Sequence, residues 1–442
     1  MKKVITYGTY DLFHYGHQRL LERAKELGDY LIVGVTADDF DKQRGKINVK
    51  QSLMERIESV RSTGLADEII IEEYEGQKID DIKRYDVDIF TVGSDWVGYF
   101  DYLKDYCDVV YLERTEGVSS SEIRSKNRAI ALGLYGEGNI LKKFYDESQF
   151  VNGINVNAVF IDNEKEKDSY ENEDLIFTDS YQELLNLVDA VFIISHPSKH
   201  YDDIKQALNN GKHVLCESPI ALDANQHVEL EQLASKNDLI LMDSIKTAYS
   251  TAYNRLLLLL KGGNIGDIYS IDATCTSLRD YDDNSWNSIT AWAPTALLPI
   301  FQILGVDYKN KTINSLILDD KPNFDLFTKI DFQYDNAVAS IKVANNVKSE
   351  GELIISGSEG YAYVPAPWWK TDYFELRYEN QEENKKYFYQ LDGEGIRYEL
   401  VAFAKSIELG KNNAYIDFYV SKAICKIMED FENNDLNVIN KY

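Results

Sequence analysis

Short runs of β-branched and apolar residues alternate with stretches of helical spacing along the first 126 residues. Residues 3–8 (KVITYG) form the first run, and apolar side chains then recur at three- and four-residue steps through 17–28 (HQRLLERAKELG). Four more runs predict buried strands, at 30–36, 68–73, 88–93 and 109–113. Strands that alternate with helices predict a parallel sheet with both faces covered.

The alternation restarts after Lys126 with almost no linker. A strand, a glycine turn and a helix fill 128–146, and three further runs predict strands at 156–162, 190–196 and 212–218. From about residue 265 the strands become long and alternating, which is typical of antiparallel, half-exposed strands. We therefore expect an α/β protein with a Rossmann-like domain at 1–127, a second Rossmann domain at 128–245, and an α+β domain with a mostly antiparallel sheet at 246–442.

Composition narrows the classes of function. The chain has 442 residues, 44% of them hydrophobic, so each domain can bury a core. Its 47 basic and 74 acidic residues give a formal charge of −27, which argues against nucleic acid or a membrane surface as a partner. Any phosphate ligand therefore needs a local basic pocket. Four cysteines without CxxC spacing, and no signal-peptide or membrane-spanning apolar run, favour a cytoplasmic protein without structural zinc.

The segment GTYDLFHYGH (8–17) carries the first candidate chemistry. Gly8 ends a predicted strand, and His14 and His17 lie one helical turn apart at the start of the next helix. Both imidazoles can then face one point beside unpaired backbone amides, where an anion is favoured. The segment predicts a phosphate site; the alternative is that the two histidines only cap the helix.

The motif HxGH after a strand resembles the signature of the nucleotidyltransferase superfamily. RTEG (114–117), followed by serines at a helix start, and VGSDW (92–96) are similar to motifs of the glycerol-3-phosphate cytidylyltransferase family, although such serines are usually only caps. The resemblance covers residues 1–126. It implies a nucleotidyltransferase domain that uses CTP with Mg²⁺ as donor and a small polyol or sugar phosphate as acceptor.

The same resemblance implies roles for single residues. His14 and His17 would hold the triphosphate, Arg44 and Lys46 would neutralise it, and Asp11 would lie near Mg²⁺. The other nucleotide-binding positions that it implies are Gly8, Thr9, Tyr10, Asp95, Trp96, Arg114, Thr115, Ser119 and Ser120, with Lys46 and Arg114 also counted as catalytic. Arg56 matches an arginine near the acceptor phosphate, but Gly64 replaces its basic companion, which leaves Arg61 as the substitute.

A second candidate site begins at GLYGEGNIL (133–141). Gly136 and Gly138 are spaced as in the dinucleotide-binding fingerprint, although Leu141 replaces its third small residue, and such a glycine pair alone is weak evidence. Asp162 ends the next predicted strand, where a carboxylate can hold the ribose hydroxyls of NAD and repel the 2′-phosphate of NADP.

Three later motifs resemble the glucose-fructose oxidoreductase and inositol dehydrogenase family. They are SHPSKH (195–200), CESPIAL (216–222) and GSEGYAYVPAPWW (357–369), and the resemblance runs from 128 to 436. It implies binding of NAD(H) or NADP(H) by Gly136, Gly138, Asn139, Ile140, Asp162, Ser195, His196, Pro197, His200, Glu217, Ser218 and Pro219. For His196 and His200 the alternative is a structural role at the end of a strand.

Two departures from that family concern its chemistry. Ser218 stands where a lysine is expected, and no histidine occurs after His227. Hydride transfer to a carbonyl needs a proton donor near the oxygen, and Lys246 and Tyr249 are the remaining candidates. Either they substitute, or this half has kept the cofactor fold and lost the reaction.

These observations predict a bifunctional enzyme that makes a CDP-activated polyol for a bacterial surface polymer. In this scheme the C-terminal half reduces a ketose or aldose phosphate, and the N-terminal half couples the product to CTP. The alternative is a cytidylyltransferase fused to a silent binding or dimerisation module. Both families are commonly oligomeric, so we expect a homodimer or homotetramer.

Overall fold

The computed structural model describes residues 1–37, 49, 51, 53–74, 76–113, 129–136, 140–151, 153–161, 167, 170, 175–278, 286–318, 321–389, 391–412 and 414–440. The chain divides into two compact units, Met1–Ala129 and Ile130–Tyr442. Each unit has its own sheets and is described by itself below.

The first unit contains one five-stranded sheet. Its elements are β1 (Lys3–Gly8), α1 (Tyr15–Glu26), β2 (Tyr30–Thr36), α2 (Leu53–Arg61), β3 (Glu68–Glu72), α3 (Gln77–Tyr85), β4 (Ile89–Gly93) and β5 (Asp108–Leu112). The strand order is β3-β2-β1-β4-β5, and every pairing is parallel. The predicted covered parallel sheet is confirmed.

Neighbouring residues of β1 enter different cores on the two faces of this sheet. Val4 packs with Leu21 of α1 and Ile57 of α2, while Ile5 packs with Ile82 of α3. Because β1 pairs with both β2 and β4, the strand order reverses beside it, and the carboxyl ends of β1 and β4 border the crevice where such sheets bind ligands.

The second unit begins with a six-stranded parallel sheet. Its elements are β6 (Ile130–Gly136), α4 (Ile140–Ser148), β7 (Ile154–Phe160), β8 (Ile176–Thr178), α5 (Tyr181–Leu187), β9 (Ala190–Ile194), α6 (Pro197–Asn209), β10 (His213–Glu217), α7 (Ala224–Lys236) and β11 (Leu241–Ser244). The order β11-β10-β9-β6-β7-β8 puts β9 and β7 on either side of β6. This is the Rossmann arrangement expected from the sequence.

The rest of the second unit forms a nine-stranded sheet with helices. Its elements are α8 (Thr251–Lys261), β12 (Ile268–Ser277), α9 (Ser288–Leu304), β13 (Asn310–Leu318), β14 (Lys321–Gln333), β15 (Val338–Asn345), β16 (Leu353–Gly357), β17 (Tyr361–Val364), β18 (Tyr373–Arg377), β19 (Lys385–Phe388), α10 (Ile396–Leu409), α11 (Phe418–Glu432) and β20 (Asn437–Asn440). The order is β19-β18-β17-β16-β12-β15-β14-β13-β20, and only the β12–β15 and β13–β20 pairs are parallel. The α/β fold class with a mostly antiparallel C-terminal sheet is confirmed.

Helix α9 contains two prolines, Pro294 and Pro299, in its interior. Proline removes a helical hydrogen bond and usually breaks a helix. Most of this helix is buried, and the Trp292 indole N–H donates to Asn345 Oδ1 at 3.0 Å, so packing on the sheet holds it. Among the described helices, none is both long and apolar enough to span a bilayer.

Candidate functional sites

The loop after β1 turns back on itself through left-handed backbone. Tyr10 has a φ of 53° and Leu12 a φ of 47°, conformations that side-chain-bearing residues rarely adopt. The Tyr10 ring is buried, and a Cβ on Gly8 would lie 2.9 Å from it. Glycine at the end of β1 therefore lets the Tyr10 ring fold inward, which leads the chain towards α1.

Two buried polar side chains, Asp11 and Arg56, hold the loop after β1 in place through hydrogen bonds to the backbone. Asp11 is buried and its Oδ1 accepts a hydrogen bond from the Gln51 amide at 3.0 Å. The Arg56 guanidinium is fully buried and donates to the carbonyl oxygens of Thr9 at 2.7 Å and Thr36 at 2.8 Å. Arg56 therefore holds the loop, and its role towards the acceptor phosphate stays a prediction. Arg61 ends α2, where it is exposed and pairs with Glu58.

His14 and His17 come together at the start of α1. His14 is the N-cap residue, and its Nδ1 accepts a hydrogen bond from the Gly16 amide at 3.0 Å. The ring centroids of the two histidines lie 3.9 Å apart and nearly parallel. Because Nδ1 of His14 is an acceptor, a neutral ring carries its proton on Nε2, which can donate to an oxyanion. The capping role and the phosphate-binding role are thus compatible.

The other side of this crevice is the end of β4. A short turn of 3₁₀-helix, Ser94–Trp96, follows Gly93, and the Trp96 ring is 37% exposed with its edge against Tyr99. An accessible aromatic face at the end of β4 can stack on a planar ligand group such as a nucleotide base. The predicted residues Arg44, Lys46, Arg114, Thr115, Ser119 and Ser120, and the side chain of Asp95, lie outside the described residues.

No group of three or more histidine, cysteine or acidic side chains is close enough to hold a metal ion within the described parts of the chain. Asp11 is the acidic residue of the loop 8–17, and one of its oxygens already accepts the Gln51 amide. Mg²⁺ that accompanies a nucleotide keeps waters and phosphate oxygens as most of its ligands, so a single carboxylate fits this use.

In the second unit, the glycine turn after β6 begins at a crowded position. Gly136 has a φ of +140°, and a Cβ there would lie 2.4 Å from the Ile194 carbonyl oxygen at the end of β9. Ile140 opens α4 only four residues later, so the helix N-terminus faces the carboxyl edge of the sheet, where this fold holds a dinucleotide. Gly138, Asn139 and Asp162 lie outside the described residues.

Two histidines, His196 and His200, stabilise the connection between β9 and α6. His196 caps α6 and its Nδ1 lies 2.8 Å from the Ser198 hydroxyl, with Pro197 in the first helical position. His200 is fully buried, with Nδ1 2.8 Å from the Pro219 carbonyl oxygen and Nε2 2.7 Å from that of Ser195. Burial lowers the pKa of His200 to about 4, so the neutral ring donates its one N–H to one carbonyl at a time.

His200 therefore ties the ends of β9 and β10 together, which is the structural role given above as the alternative to cofactor binding. Ser195 is buried as well, and its hydroxyl donates to Asp203 Oδ2 at 2.6 Å. The family resemblance does not distinguish a histidine that contacts the cofactor from one that only holds the backbone, because both kinds of histidine lie at the same strand end.

Carboxyl groups cluster where the family lysine is missing. Burial raises the pKa of Glu217, at the end of β10, to about 7, although Lys246 lowers it. Burial also raises the pKa of Asp243, in β11, to about 6, while the hydrogen bond that the Ser421 hydroxyl donates to Asp243 Oδ2 at 2.6 Å lowers it. Glu399 of α10 is fully buried, and burial raises its pKa well above the usual value, with Glu217 adding to the rise and Ser244 opposing it.

The two candidate proton donors lie in the turn Lys246–Tyr249. Tyr249 is buried and stacks on Tyr415 with centroids 5.1 Å apart, and burial raises the pKa of its hydroxyl well above 10. Lys246 is partly exposed, and its Nζ lies 3.3 Å from Glu394 Oε2. Lys246 is thus the accessible member of the pair, and Tyr249 is a core residue.

The first unit matches known proteins along nearly its whole length. Residues 5–126 fit the family described as Cytidylyltransferase-like. The glycerol-3-phosphate cytidylyltransferase of Bacillus spizizenii is 53% identical over 124 residues, which are 28% of this chain and 95% of that protein. That of Staphylococcus aureus is 50% identical over 129 residues, with the same two shares. The chain belongs to the cytidylyltransferase-like family. It is an enzyme of the nucleotidyltransferase class.

In this cytidylyltransferase-like protein, residues 130–244 fit the family described as Oxidoreductase family, NAD-binding Rossmann fold. A 3-ketoreductase from Actinomadura kijaniata, solved in complex with NADP and TDP-benzene, superposes with a TM-score of 0.63 over 71% of this chain and 100% of that one. The sequences are 16% identical, so this likeness shows the fold alone. The oxidoreductase-type fold extends through the nine-stranded sheet, beyond the matched Rossmann domain.

Proposed function

We propose that the first unit transfers a cytidylyl group from CTP to a polyol phosphate such as glycerol 3-phosphate, giving a CDP-polyol and pyrophosphate. The observation that carries the proposal is the pair of stacked imidazoles, His14 and His17, at the N-terminus of α1. They lie directly after β1, beside the reversal of strand order where this kind of sheet binds ligands. The relatives that this unit resembles carry the name of the same reaction.

The reaction needs no covalent nucleophile. An oxygen of the acceptor phosphate attacks the α-phosphorus of CTP, and the bond to the pyrophosphate oxygen breaks as the new bond forms. His14 and His17 donate hydrogen bonds to the triphosphate, and Lys46 and Arg114 add positive charge in this proposal. Mg²⁺, when bound with CTP and Asp11, neutralises part of the phosphate charge. Arg56 keeps the loop in place, so the reactants are aligned before they react.

The test is pyrophosphate release by the full chain with CTP, Mg²⁺ and a panel of polyol phosphates. We expect release only when an acceptor is present, with the CDP-polyol identified by mass. Failure of every polyol phosphate to stimulate release would contradict the proposal.

For the second unit we propose an NAD(P)(H)-dependent reduction of a ketose or aldose phosphate to the polyol phosphate that the first unit uses. Gly136 and Ile140, with Gly138, Asn139 and Asp162, would hold the dinucleotide, and Asp162 favours NAD over NADP. The nicotinamide, when bound, supplies hydride to the carbonyl carbon. The Lys246 ammonium donates the proton to the carbonyl oxygen, and its partial exposure and its position after β11 support this role.

The alternative is a silent module that binds a ligand or a second subunit. The lack of the family lysine between Glu217 and Pro219 favours it. Calorimetry with NAD, NADH, NADP and NADPH separates the two hypotheses, because a reductase must bind at least one of them. Binding without oxidation of the reduced cofactor by any ketose or aldose phosphate would favour a module that has lost its reaction.

A further inference from the structure

Three lysines from distant parts of the second unit converge on one carboxylate, Glu394. Lys143 of α4 places Nζ 2.6 Å from Glu394 Oε2, and Lys246 places its Nζ 3.3 Å from the same oxygen. Lys370, from the turn Trp368–Lys370, places Nζ 2.8 Å from Oε1. Three ammonium groups thus share one negative charge, and we call this set the lysine cluster.

The charges within the lysine cluster do not cancel. Burial would raise the pKa of Glu394, but hydrogen bonds from Lys143 and Lys370 and the charge of Lys246 hold it at about 2. One anion therefore faces three cations. Glu217 and Glu399 also face Lys246, and burial raises the pKa of both, which weakens their ability to neutralise it. In a chain of net charge −27, three ammonium groups around one carboxylate form the local basic pocket that a phosphate ligand requires.

The backbone around the lysine cluster is tightly packed, while its side chains stay accessible. Gly395 has a φ of +94°, and a Cβ there would lie 2.6 Å from the Lys246 carbonyl oxygen, so the turn that carries Glu394 is pressed against the turn that carries Lys246. The three lysine side chains are between 27% and 39% exposed. A ligand can therefore reach ammonium groups whose positions are already set.

The lysine cluster lies away from the part of the sheet where this fold binds the adenosine of a dinucleotide. Lys246 follows β11, next to β10, whose end carries Glu217. The ribose-binding position follows β7, on the opposite side of β6 in the sheet order. The lysine cluster thus lies on the side where the substrate carbonyl must be.

We propose that Lys143 and Lys370 bind the phosphate group of the second unit's substrate, a ketose or aldose phosphate, beside Lys246, which donates the proton to the carbonyl oxygen. The acceptor oxygens of a phosphate monoester suit the two ammonium groups, and Glu394 keeps all three lysines together before the ligand arrives. This inference rests on the reductase proposed above for its substrate class, but phosphate binding itself needs no turnover.

Lysine acetylation, measured peptide by peptide, tests the inference in the full chain. Limited acetic anhydride is applied with dihydroxyacetone phosphate, ribulose 5-phosphate or inorganic phosphate, and with the unphosphorylated sugars. We expect each phosphorylated probe to reduce acetylation of Lys143, Lys246 and Lys370 at least threefold. Lys142, which pairs with Asp146 on the same helix, is the internal control and should not change.

Single substitutions show which side chains the protection depends on. With Lys246 acetylation as the readout, Lys143→Gln and Lys370→Gln should each raise the half-protecting sugar phosphate concentration at least tenfold, and Lys142→Gln should not. Glu394→Gln keeps a side-chain oxygen that accepts hydrogen bonds from the lysines but removes the competing negative charge, so that concentration should fall, which a misfolded variant would not show.

Three outcomes would overturn the inference. They are no protection by any phosphorylated probe, equal protection of Lys142, and protection by NADP but by neither NAD nor a sugar phosphate. Pyrophosphate release from CTP, measured on the same samples, reports the first unit separately. Oxidation of NADH or NADPH with the same sugar phosphates reports the reductase, so protection of the lysines without oxidation would contradict the reductase alone.

Discussion

At the scale of single residues, His14 and His17 allow the contribution of one imidazole to the proposed reaction to be measured. Their rings stack at 3.9 Å, and His14 also caps α1 through Nδ1. Removing one preorganised donor to a transition-state charge costs roughly 2–4 kcal/mol. We therefore expect His17→Ala to slow pyrophosphate release from CTP by a factor of roughly 30 to 1,000. Undiminished release would rule out the imidazole as a catalytic group.

His14→Asn is the companion variant that separates the two roles of that residue. Asparagine is among the best N-cap residues, so the helix should keep its stability. Since the imidazole is lost, we expect release of pyrophosphate to fall while the thermal unfolding midpoint stays unchanged. A parallel loss of both would mean that capping is the only role of His14.

Glu399 should make the free energy of unfolding depend on pH, because this side chain is fully buried and burial raises its pKa. Below about pH 4.5, its ordinary value, the carboxyl is protonated in both the folded and the unfolded chain. As the pH rises towards the folded pKa, only the unfolded chain releases the proton. Stability is then lost by at most about 1.4 kcal/mol per pH unit.

Glu399→Gln removes this titration. Urea unfolding of the second unit should show the variant close to the native protein at pH 5 and more stable than it at pH 8. Glu382→Gln, at an exposed position, is the matched control. A variant that is less stable than the native protein at both values would show that Glu399 is ionised in the folded chain.

Single residues also show what the sequence can and cannot predict. The position of His14 beside His17, and the turn at Gly136, follow from local spacing. The sequence did not show that Arg56, His200 and Tyr249 are buried, because burial depends on packing between elements. Glu394 lies 148 positions from Lys246 in the chain, so no pattern in the sequence joins them.

At the scale of elements, the strands predicted with stated bounds in both Rossmann sheets match the observed strands within two residues at each end, whereas β8 and β11 had no predicted span. The predicted runs are fully buried or have a clear helical period, and such patterns depend on neighbours in sequence. Helix α9 was not foreseen, since its two prolines oppose a helix and its packing partners, such as Asn345, come from a strand far along the chain. The short edge strands β19 and β20 are likewise set by their neighbours in the sheet.

Helix α2 and the loop after β1 act together through Arg56. Arg56→Met would leave the Thr9 and Thr36 carbonyls without this donor, which costs about 1–3 kcal/mol for each buried group. Because the whole loop would shift, we expect kcat to fall and KM to rise for CTP as well as for the acceptor. A change in the acceptor KM alone would instead favour direct contact with the acceptor phosphate. Arg61→Met, at the exposed end of α2, is the matched control and should change little.

At the scale of the whole molecule, two units in one chain suggest two consecutive reactions. We expect the full chain to form CDP-glycerol from dihydroxyacetone phosphate, CTP and NADH or NADPH, without added glycerol 3-phosphate. Lys246→Ala should block this product, and added glycerol 3-phosphate should restore it, because the first unit is unaffected. Product that appears only with added glycerol 3-phosphate, even in the native chain, would favour the silent module.

The crowding at Gly136 has a consequence for evolution. A Cβ there would lie 2.4 Å from the Ile194 carbonyl oxygen, so the last pair between β6 and β9 could not keep its position without glycine at residue 136. Selection for folding alone therefore preserves Gly136 in any descendant, whether or not the descendant still binds a dinucleotide. The side chains of Lys143 and Lys370 are 34% and 39% exposed, so folding constrains these two positions less than it constrains Gly136. Across related fusion proteins, loss of these lysines, and not loss of the glycine, should identify the lineages in which the second reaction has ended.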